Sequence, residues 1–389
     1  MTEWKEYKLE EIIEVFIDYR GKTPQKSSFG IPLITAKVVK EGRILPPNEF
    51  IPEEDYDSWM TRGLPEINDV VLTTEAPLGE VALIKDNRVA LAQRIITMRG
   101  KRDIVDNIFL KYYFQSKQGQ YELSSRASGT TVFGIKAEVL KKVPVFLPPL
   151  PTQRRIASIL SSLDDKIDLL HRENATLEQM AETLFRQWFV VEAKEEWEEK
   201  PLGKCIKLVG GGTPKTSEER FWNGNVCWLS GGDIANNHKN YVSSSEKSIS
   251  EDGLNNSSAK LLPENAMVVS ARGTVGKYCL LSKPMAFSQS NYGILPIYSS
   301  CHFFTYLLVA YHIDELQSAA YGSVFDTITT KTFEGVSVLL PKETGYIVEF
   351  EKMIEPYFSK MKYNNKQIQT LIQTRDGLLP RLMSGEVKI

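Results

Sequence analysis

The sequence predicts an α+β protein: two similar mixed α/β domains, each followed by a long helix. Three observations predict it. The chain repeats itself at a separation near 193 residues, two segments carry an apolar seam at helical spacing, and short β-branched runs alternate with turn residues elsewhere. With 389 residues, 42% hydrophobic and 25% charged, the chain has the makeup of an ordinary globular protein of two or three domains.

The repeat is legible in order. Trp4 followed by Tyr7-Lys8-Leu9 answers Trp197 followed by Lys200-Pro201-Leu202. Gly21-Lys22-Thr23-Pro24 answers Gly211-Gly212-Thr213-Pro214. Val71-Leu72-Thr73-Thr74-Glu75-Ala76-Pro77 answers Val268-Val269-Ser270-Ala271-Arg272-Gly273-Thr274. Ala92-Gln93-Arg94 answers Ser288-Gln289-Ser290, and Ala127-Ser128-Gly129-Thr130 answers Ala320-Tyr321-Gly322-Ser323. Val145-Phe146-Leu147-Pro148 answers Val338-Leu339-Leu340-Pro341. The offset stays between 190 and 197 throughout, a register that chance similarity does not hold.

Within each copy, runs such as Asp69-Val70-Val71-Leu72-Thr73, Val81-Ala82-Leu83-Ile84, Ala266-Met267-Val268-Val269-Ser270 and Tyr278-Cys279-Leu280-Leu281 read as strands. Helical stretches near 108–118 and 302–320 precede the last strand of each copy. Loops rich in Gly, Ser, Thr and Asn separate them.

The first long helix is expected after Pro148-Pro149-Leu150-Pro151, a run that blocks regular structure, with Thr152 as its cap. Its apolar line runs Ile156, Leu160, Leu163, Ile167, Leu170, Asn174, Leu177, Ala181, Leu184, Trp188, in alternating steps of 4 and 3. That is a heptad seam, and the polar Asn174 within it fixes register at some cost in stability. The second runs from about 346 to 383, with Ile354, Tyr357, Met361, Asn364, Ile368, Leu371 and Leu378 on one line. Phe358, Ile372, Leu379 and Leu382 lie beside it, and Ser384-Gly385 stops it. Two helices so alike are expected to bury their seams against each other.

Composition excludes several classes. The polar start Met1-Thr2-Glu3-Trp4-Lys5-Glu6 is no signal peptide, and no apolar run reaches the roughly 18 residues of a membrane span. A cytoplasmic protein is expected. Cys205, Cys227, Cys279 and Cys301 form no CxxC pair, and the four histidines form no ligand pattern, so no metal is expected. Leu45-Pro46-Pro47-Asn48 lacks the aromatic end of an adenine methyltransferase motif. Arg272-Gly273-Thr274-Val275-Gly276-Lys277 ends like a phosphate loop, but Tyr278 stands where Ser or Thr would bind magnesium. No catalytic residue is assigned.

On its architecture and on Leu147-Pro148-Pro149-Leu150-Pro151-Thr152-Gln153-Arg154-Arg155-Ile156-Ala157, Leu378-Leu379-Pro380-Arg381-Leu382-Met383-Ser384-Gly385-Glu386-Val387, the 210–214 run and Phe221-Trp222, the chain resembles the specificity subunits of type I restriction–modification systems. The resemblance covers essentially the whole chain. It departs at Pro341-Lys342-Glu343-Thr344, which lacks the Pro-Pro-Leu-Pro-Thr-Gln form of the first copy. The resemblance implies target recognition domains at 1–150 and 194–341, and spacer helices at 151–193 and 342–389 that pair as an antiparallel coiled coil. It implies a non-catalytic subunit that reads a split double-stranded DNA site in the major groove. The helices then set the unread spacer and dock two methyltransferase subunits, which two restriction subunits can join. S-adenosylmethionine, ATP and magnesium belong, on that resemblance, to the partners, with no cofactor in this chain.

Base reading needs donors and acceptors on loops, and phosphate contacts need cations or Gly-rich turns. Candidates in the first domain are Lys22, Thr23, Lys26, Lys37, Arg94, Arg126, Thr130, Thr131 and Lys136. Those in the second are Thr213, Lys215, Lys239, Arg272, Gln289, Asn291, Tyr292, Ser323 and Lys331. The net charge of −2 is unlike a stand-alone DNA binder. Residues 1–150 hold 21 Lys+Arg against 21 Asp+Glu, and 201–341 hold 11 of each, so affinity must come from local patches or from partners. Two other readings stand beside this one: a self-contained modification enzyme with a DNA-reading tail, and a scaffold that never meets DNA.

Overall fold

The computed structural model describes residues 4–129, 133–298, 300–321 and 326–387. They fall into two compact units, 1–167 with 370–389, and 168–369. Each unit holds one copy of the repeated domain and a stretch of both long helices, Leu150–Arg186 and Thr344–Met383.

In the first unit the main sheet is antiparallel, in the order Ile13–Asp18, Ile95–Gly100, Val70–Thr74, Leu78–Leu83. Val70, Val71, Leu72, Thr73 and Thr74 are all buried, because this inner strand is covered on both faces. Lys5–Lys8 pairs with Pro144–Leu147, so the ends of the domain close on each other. The expected helix near 108–118 is two helices, Asn107–Gln115 and Lys117–Ser124. Ser116 makes the break: its backbone is extended, and its hydroxyl accepts the Gly119 N–H as an N-cap.

The second unit repeats the plan. Ile206–Gly210, Asn291–Pro296, Met267–Ser270 and Tyr278–Leu281 lie in the corresponding order, with Tyr241–Val242 added at the edge. Glu198–Pro201 pairs with Ser337–Leu340, as the ends of the first domain do. The Gly-rich run at 210–214 serves close packing: a Cβ on Gly212 would sit 2.1 Å from the Ser258 carbonyl carbon. Gly212 also receives Trp228 Nε1 on its carbonyl at 2.9 Å.

The first long helix begins at Leu150, ahead of the expected cap at Thr152. Pro151 falls in the first turn, where its missing N–H has no partner to lose. Gln153, only 1% exposed, donates to the carbonyls of Pro148 and Ile104 and accepts the Asp106 N–H, which ties the helix start to the domain. A single π-helical turn, Gln187–Val191, ends it. The second begins at Thr344 and ends at Met383, as expected just before Ser384-Gly385, where Gly385 is left-handed with φ 72°.

Within the second unit the helices pair antiparallel. Asn174 meets Asn364, while further along Trp188 packs on Tyr346 and Phe350. Ile354, Met361, Ile368 and Leu170 are buried here, and Leu177 and Leu184 are half-buried. The buried stripe is wider than the sequence line and takes in Glu178, Phe185, Phe189, Phe350 and Phe358. Each helix faces its own domain as well as its partner, so a two-residue seam cannot cover it. In the first unit Ile156 and Leu160 share a core with Leu382, and Leu378 packs against it. Leu163 and Leu371 are half-buried and Ile167 is buried.

Polar anchors join domain to helix in each unit. In the first, Asp164 Oδ2 accepts Lys111 Nζ at 2.5 Å and Tyr112 Oη at 2.6 Å, and its Oδ1 accepts Arg375 Nη1 at 2.9 Å. Burial opposes the charge on Asp164, but Lys111, Tyr112 and Arg375 together hold its pKa below the usual carboxylate range. In the second, Glu351 accepts the Phe303 and Phe304 N–H groups at the start of His302–Tyr311, at 3.0 and 2.7 Å. Glu178 accepts Tyr306 Oη at 2.5 Å.

Candidate nucleic-acid interface

Three loops of the first domain are fastened together at the end of strand Val70–Thr74. The Thr74 N–H donates to the Arg94 carbonyl at 2.8 Å, and the Thr74 carbonyl accepts the Ile135 N–H at 2.9 Å. Ser128 and Gly134 exchange both backbone hydrogen bonds, at 2.9 and 3.0 Å, and Gly134 also bridges Glu75. Arg20 Nη2 donates to the Ile135 carbonyl at 2.9 Å, bracing the same segment. The result is a cleft of about 240 Å³ lined by Glu75, Gln93, Arg94 and Lys136.

Arg94 has a left-handed backbone, φ 72°, which turns its side chain out at the mouth of this cleft. Its Nε lies 3.0 Å from Glu75 Oε1, and about half of the side chain is exposed. Structure thus brings two of the sequence candidates, Arg94 and Lys136, to one place and adds Arg20, Glu75 and Gln93 to them.

The second domain builds the same frame. The Ala271 N–H donates to the Ser290 carbonyl at 3.0 Å, and the Ile328 N–H donates to the Ala271 carbonyl at 3.1 Å. Thr274 Oγ1 lies 2.8 Å from Ser270 Oγ and donates to the Gly231 carbonyl, which sets the loop that carries Arg272. Arg272 and Gln289 are exposed on neighbouring loops of this frame. Backbone roles match position by position: Thr74 with Ala271, Arg94 with Ser290, Ile135 with Ile328. Side chains do not. Glu75 is replaced by Arg272 and Arg94 by Ser290, while Gln93 and Gln289 agree.

The other candidates are placed as follows. Lys26 and Lys37 converge on Glu49, at 2.9 and 3.9 Å, and Arg126, just past helix Lys117–Ser124, is ion-paired to Glu122. Lys22 and Thr23 are exposed beyond strand Ile13–Asp18. Lys215 and Lys331 are exposed, Thr213 is half-buried, and Tyr292 is half-buried edge-on to Phe333. Lys239 pairs with Glu182 on the first long helix at 2.7 Å, away from the frame of backbone bonds just described. Asn291 is inside the fold, 1% exposed, with its Nδ2 on Ser288 Oγ, because strand Asn291–Pro296 directs it inward. Thr130, Thr131 and Ser323 lie outside the described residues.

Among the described residues, no cluster of three His, Cys, Asp or Glu side chains is placed to hold a metal, and no helix is long and apolar enough to cross a membrane. Glu75 escaped the sequence reading because a carboxylate repels phosphate. Its alignment with Arg272 was the signal that could have found it.

Known proteins share both sequence and architecture with this chain. The type I restriction modification DNA specificity domain matches twice, over residues 1–179 and 194–373. The MjaIX type I restriction enzyme specificity subunit of Methanocaldococcus jannaschii is 26% identical over 419 residues, covering 100% of this chain and 94% of that one. The HindI specificity subunit of Haemophilus influenzae is 25% identical, over 72% of this chain and 77% of its own length. In fold, the S subunit of a type I restriction–modification system from M. genitalium superposes with a TM-score of 0.57 at 14% identity, covering 98% of this chain and 96% of that one. Two domain matches covering most of the chain place it in the family of type I restriction–modification DNA specificity subunits.

Proposed function

We propose that this chain reads a bipartite DNA sequence on behalf of a type I restriction–modification complex and performs no chemistry itself. Each domain reads one part through its three-loop frame. The paired helices set the spacer and receive two methyltransferase subunits, and two restriction subunits join them for cleavage. S-adenosylmethionine, ATP and magnesium are held by those partners.

One observation carries the reading: the same backbone frame occurs in both domains with different side chains on it. A homodimer of identical readers requires a palindrome, whereas two unlike readers in one chain suit a site with unlike halves. The helices, of 37 and 40 residues, are on the order of 55–60 Å long, enough for a spacer of about one helical turn of DNA. Equal numbers of basic and acidic residues in both domains favour phosphate contacts shared with partners, so the isolated chain should bind duplex weakly.

The test is electrophoretic shift of the complex reconstituted with its methyltransferase, on target and random duplexes at physiological salt, with methylated adenines mapped in hosts with and without the gene. Tight binding to one split motif, lost with the gene, is expected. Equal binding to target and random DNA would end the proposal.

A further inference from the structure

We infer that Glu75 and Arg94 form a buttressed guanine reader, so that the first domain demands a G·C pair at one position of its half-site. This rests on the DNA-reading function proposed above and specifies its chemistry.

Arginine recognises guanine by presenting two N–H groups to O6 and N7, the commonest specific contact in the major groove. A free arginine at a surface scatters over many rotamers. Arg94 does not have that freedom. Its backbone is fixed by the bond from Thr74, and its guanidinium is ion-paired to Glu75, with Nε 3.0 Å from Oε1. An ion pair on the Nε edge leaves the Nη1 and Nη2 fork at the far end, the part that matches guanine. The backbone of Glu75 is fixed by the bridge to Gly134, while its side chain remains about 39% exposed. A carboxylate beside the fork accepts from the cytosine amino group and repels phosphate, so the pair favours a base edge over the DNA backbone.

The second domain supports the assignment by contrast. Its frame carries Arg272 and Ser290 at the two positions, with the arginine on the other loop. Its base preference at the equivalent position should therefore be set differently.

The experiment uses the methyltransferase complex carrying Arg94→Asn, Glu75→Ala or neither, on a duplex library randomised through both half-sites, reading which sequences become methylated. Asparagine suits the left-handed backbone at 94, so folding is preserved. Wild type should require guanine at one position of the first half-site. Arg94→Asn should lower that preference about 10–100-fold and leave the second half-site unchanged. Glu75→Ala should weaken the same preference by a smaller factor without weakening binding to random DNA. Binding that drops equally for all sequences, with a shallower salt dependence, would mean a phosphate contact and overturn the inference. So would an unaltered motif in Arg94→Asn. A wild-type complex with no sequence preference would instead sink the DNA-reading function itself.

Discussion

Asn364 Nδ2 donates to Asn174 Oδ1 at 2.8 Å between the two long helices, a polar contact within a largely apolar seam. The bond sits in a polar chain: Asn364 also donates to Glu173, Asn174 reaches Asn365, and Asn365 Nδ2 donates to Asn240 Oδ1 at 2.8 Å. Other seam residues would tolerate a slip along the helices, because apolar contact has no direction. This one does not. Replacing Asn364 alone by Leu leaves buried amides without partners and should cost about 1–3 kcal/mol in denaturant melts. Replacing Asn174 and Asn364 together by Leu should recover most of that loss while weakening register. Additive losses in the double variant would show that the two side chains do not act as a pair.

Asp164 is the matching anchor in the first unit. Lys111, 4% exposed, has Asp164 as its ion-pair partner. Asp164→Ala therefore strands a buried ammonium and should cost about 3–5 kcal/mol. The acid dependence follows in sign. A carboxyl with a folded pKa below its unfolded value, near 3.8, contributes stability that is present above that value and lost as pH falls below it. Asp164→Asn should thus be much less stable than wild type at pH 7, with a gap that narrows as pH falls below about 3.8. A gap of constant size across that range in urea melts would rule out an ionised Asp164.

Glu178 predicts the opposite slope. Burial raises its pKa to about 7, against the stabilising effects of Tyr306 and Lys239, with Glu182 adding to the rise. Such a group stabilises the fold fully below its unfolded value, near 4.5, and loses that contribution as pH climbs to about 7. Glu178→Gln keeps an acceptor for Tyr306 and removes the titration. The variant should gain on wild type between pH 5 and 8 by an amount on the order of 3 kcal/mol. Parallel stability curves for the two proteins would show that Glu178 does not titrate in this range.

These anchors mark what the sequence could and could not convey. The repeat, both seams and both seam asparagines were legible because they recur at fixed local spacing. Asp164 lies beside the seam and reads locally as a solvated charge. Only the fold brings Lys111 and Arg375 to it. The aromatic cluster of Phe185, Phe189, Trp197, Phe304 and Phe350 joins three distant segments and has no local period. At the candidate interface, residue type alone selected Arg94 and Arg272, which are exposed, and also Asn291, which strand alternation turns inward. Glu75 was passed over because only the fold brings it to Arg94, 19 residues away in sequence.

The spacer reading has a sharper test than loss of assembly. Deleting one heptad from only one helix breaks the phase between partners. Removing residues 165–171 together with 367–373 keeps it, because Asp164 with Arg375 and Asn174 with Asn364 both survive the cut. Two matched heptads shorten the pair by about 10 Å, or roughly three base pairs. The complex carrying both deletions should methylate sites with the same two half-sites and a spacer shorter by about that amount. The two half-sites would also be rotated relative to each other by the lost base pairs, so the activity that remains should be low and confined to the shortened class. Methylation of the original spacer at undiminished rate would show that the helices do not measure DNA.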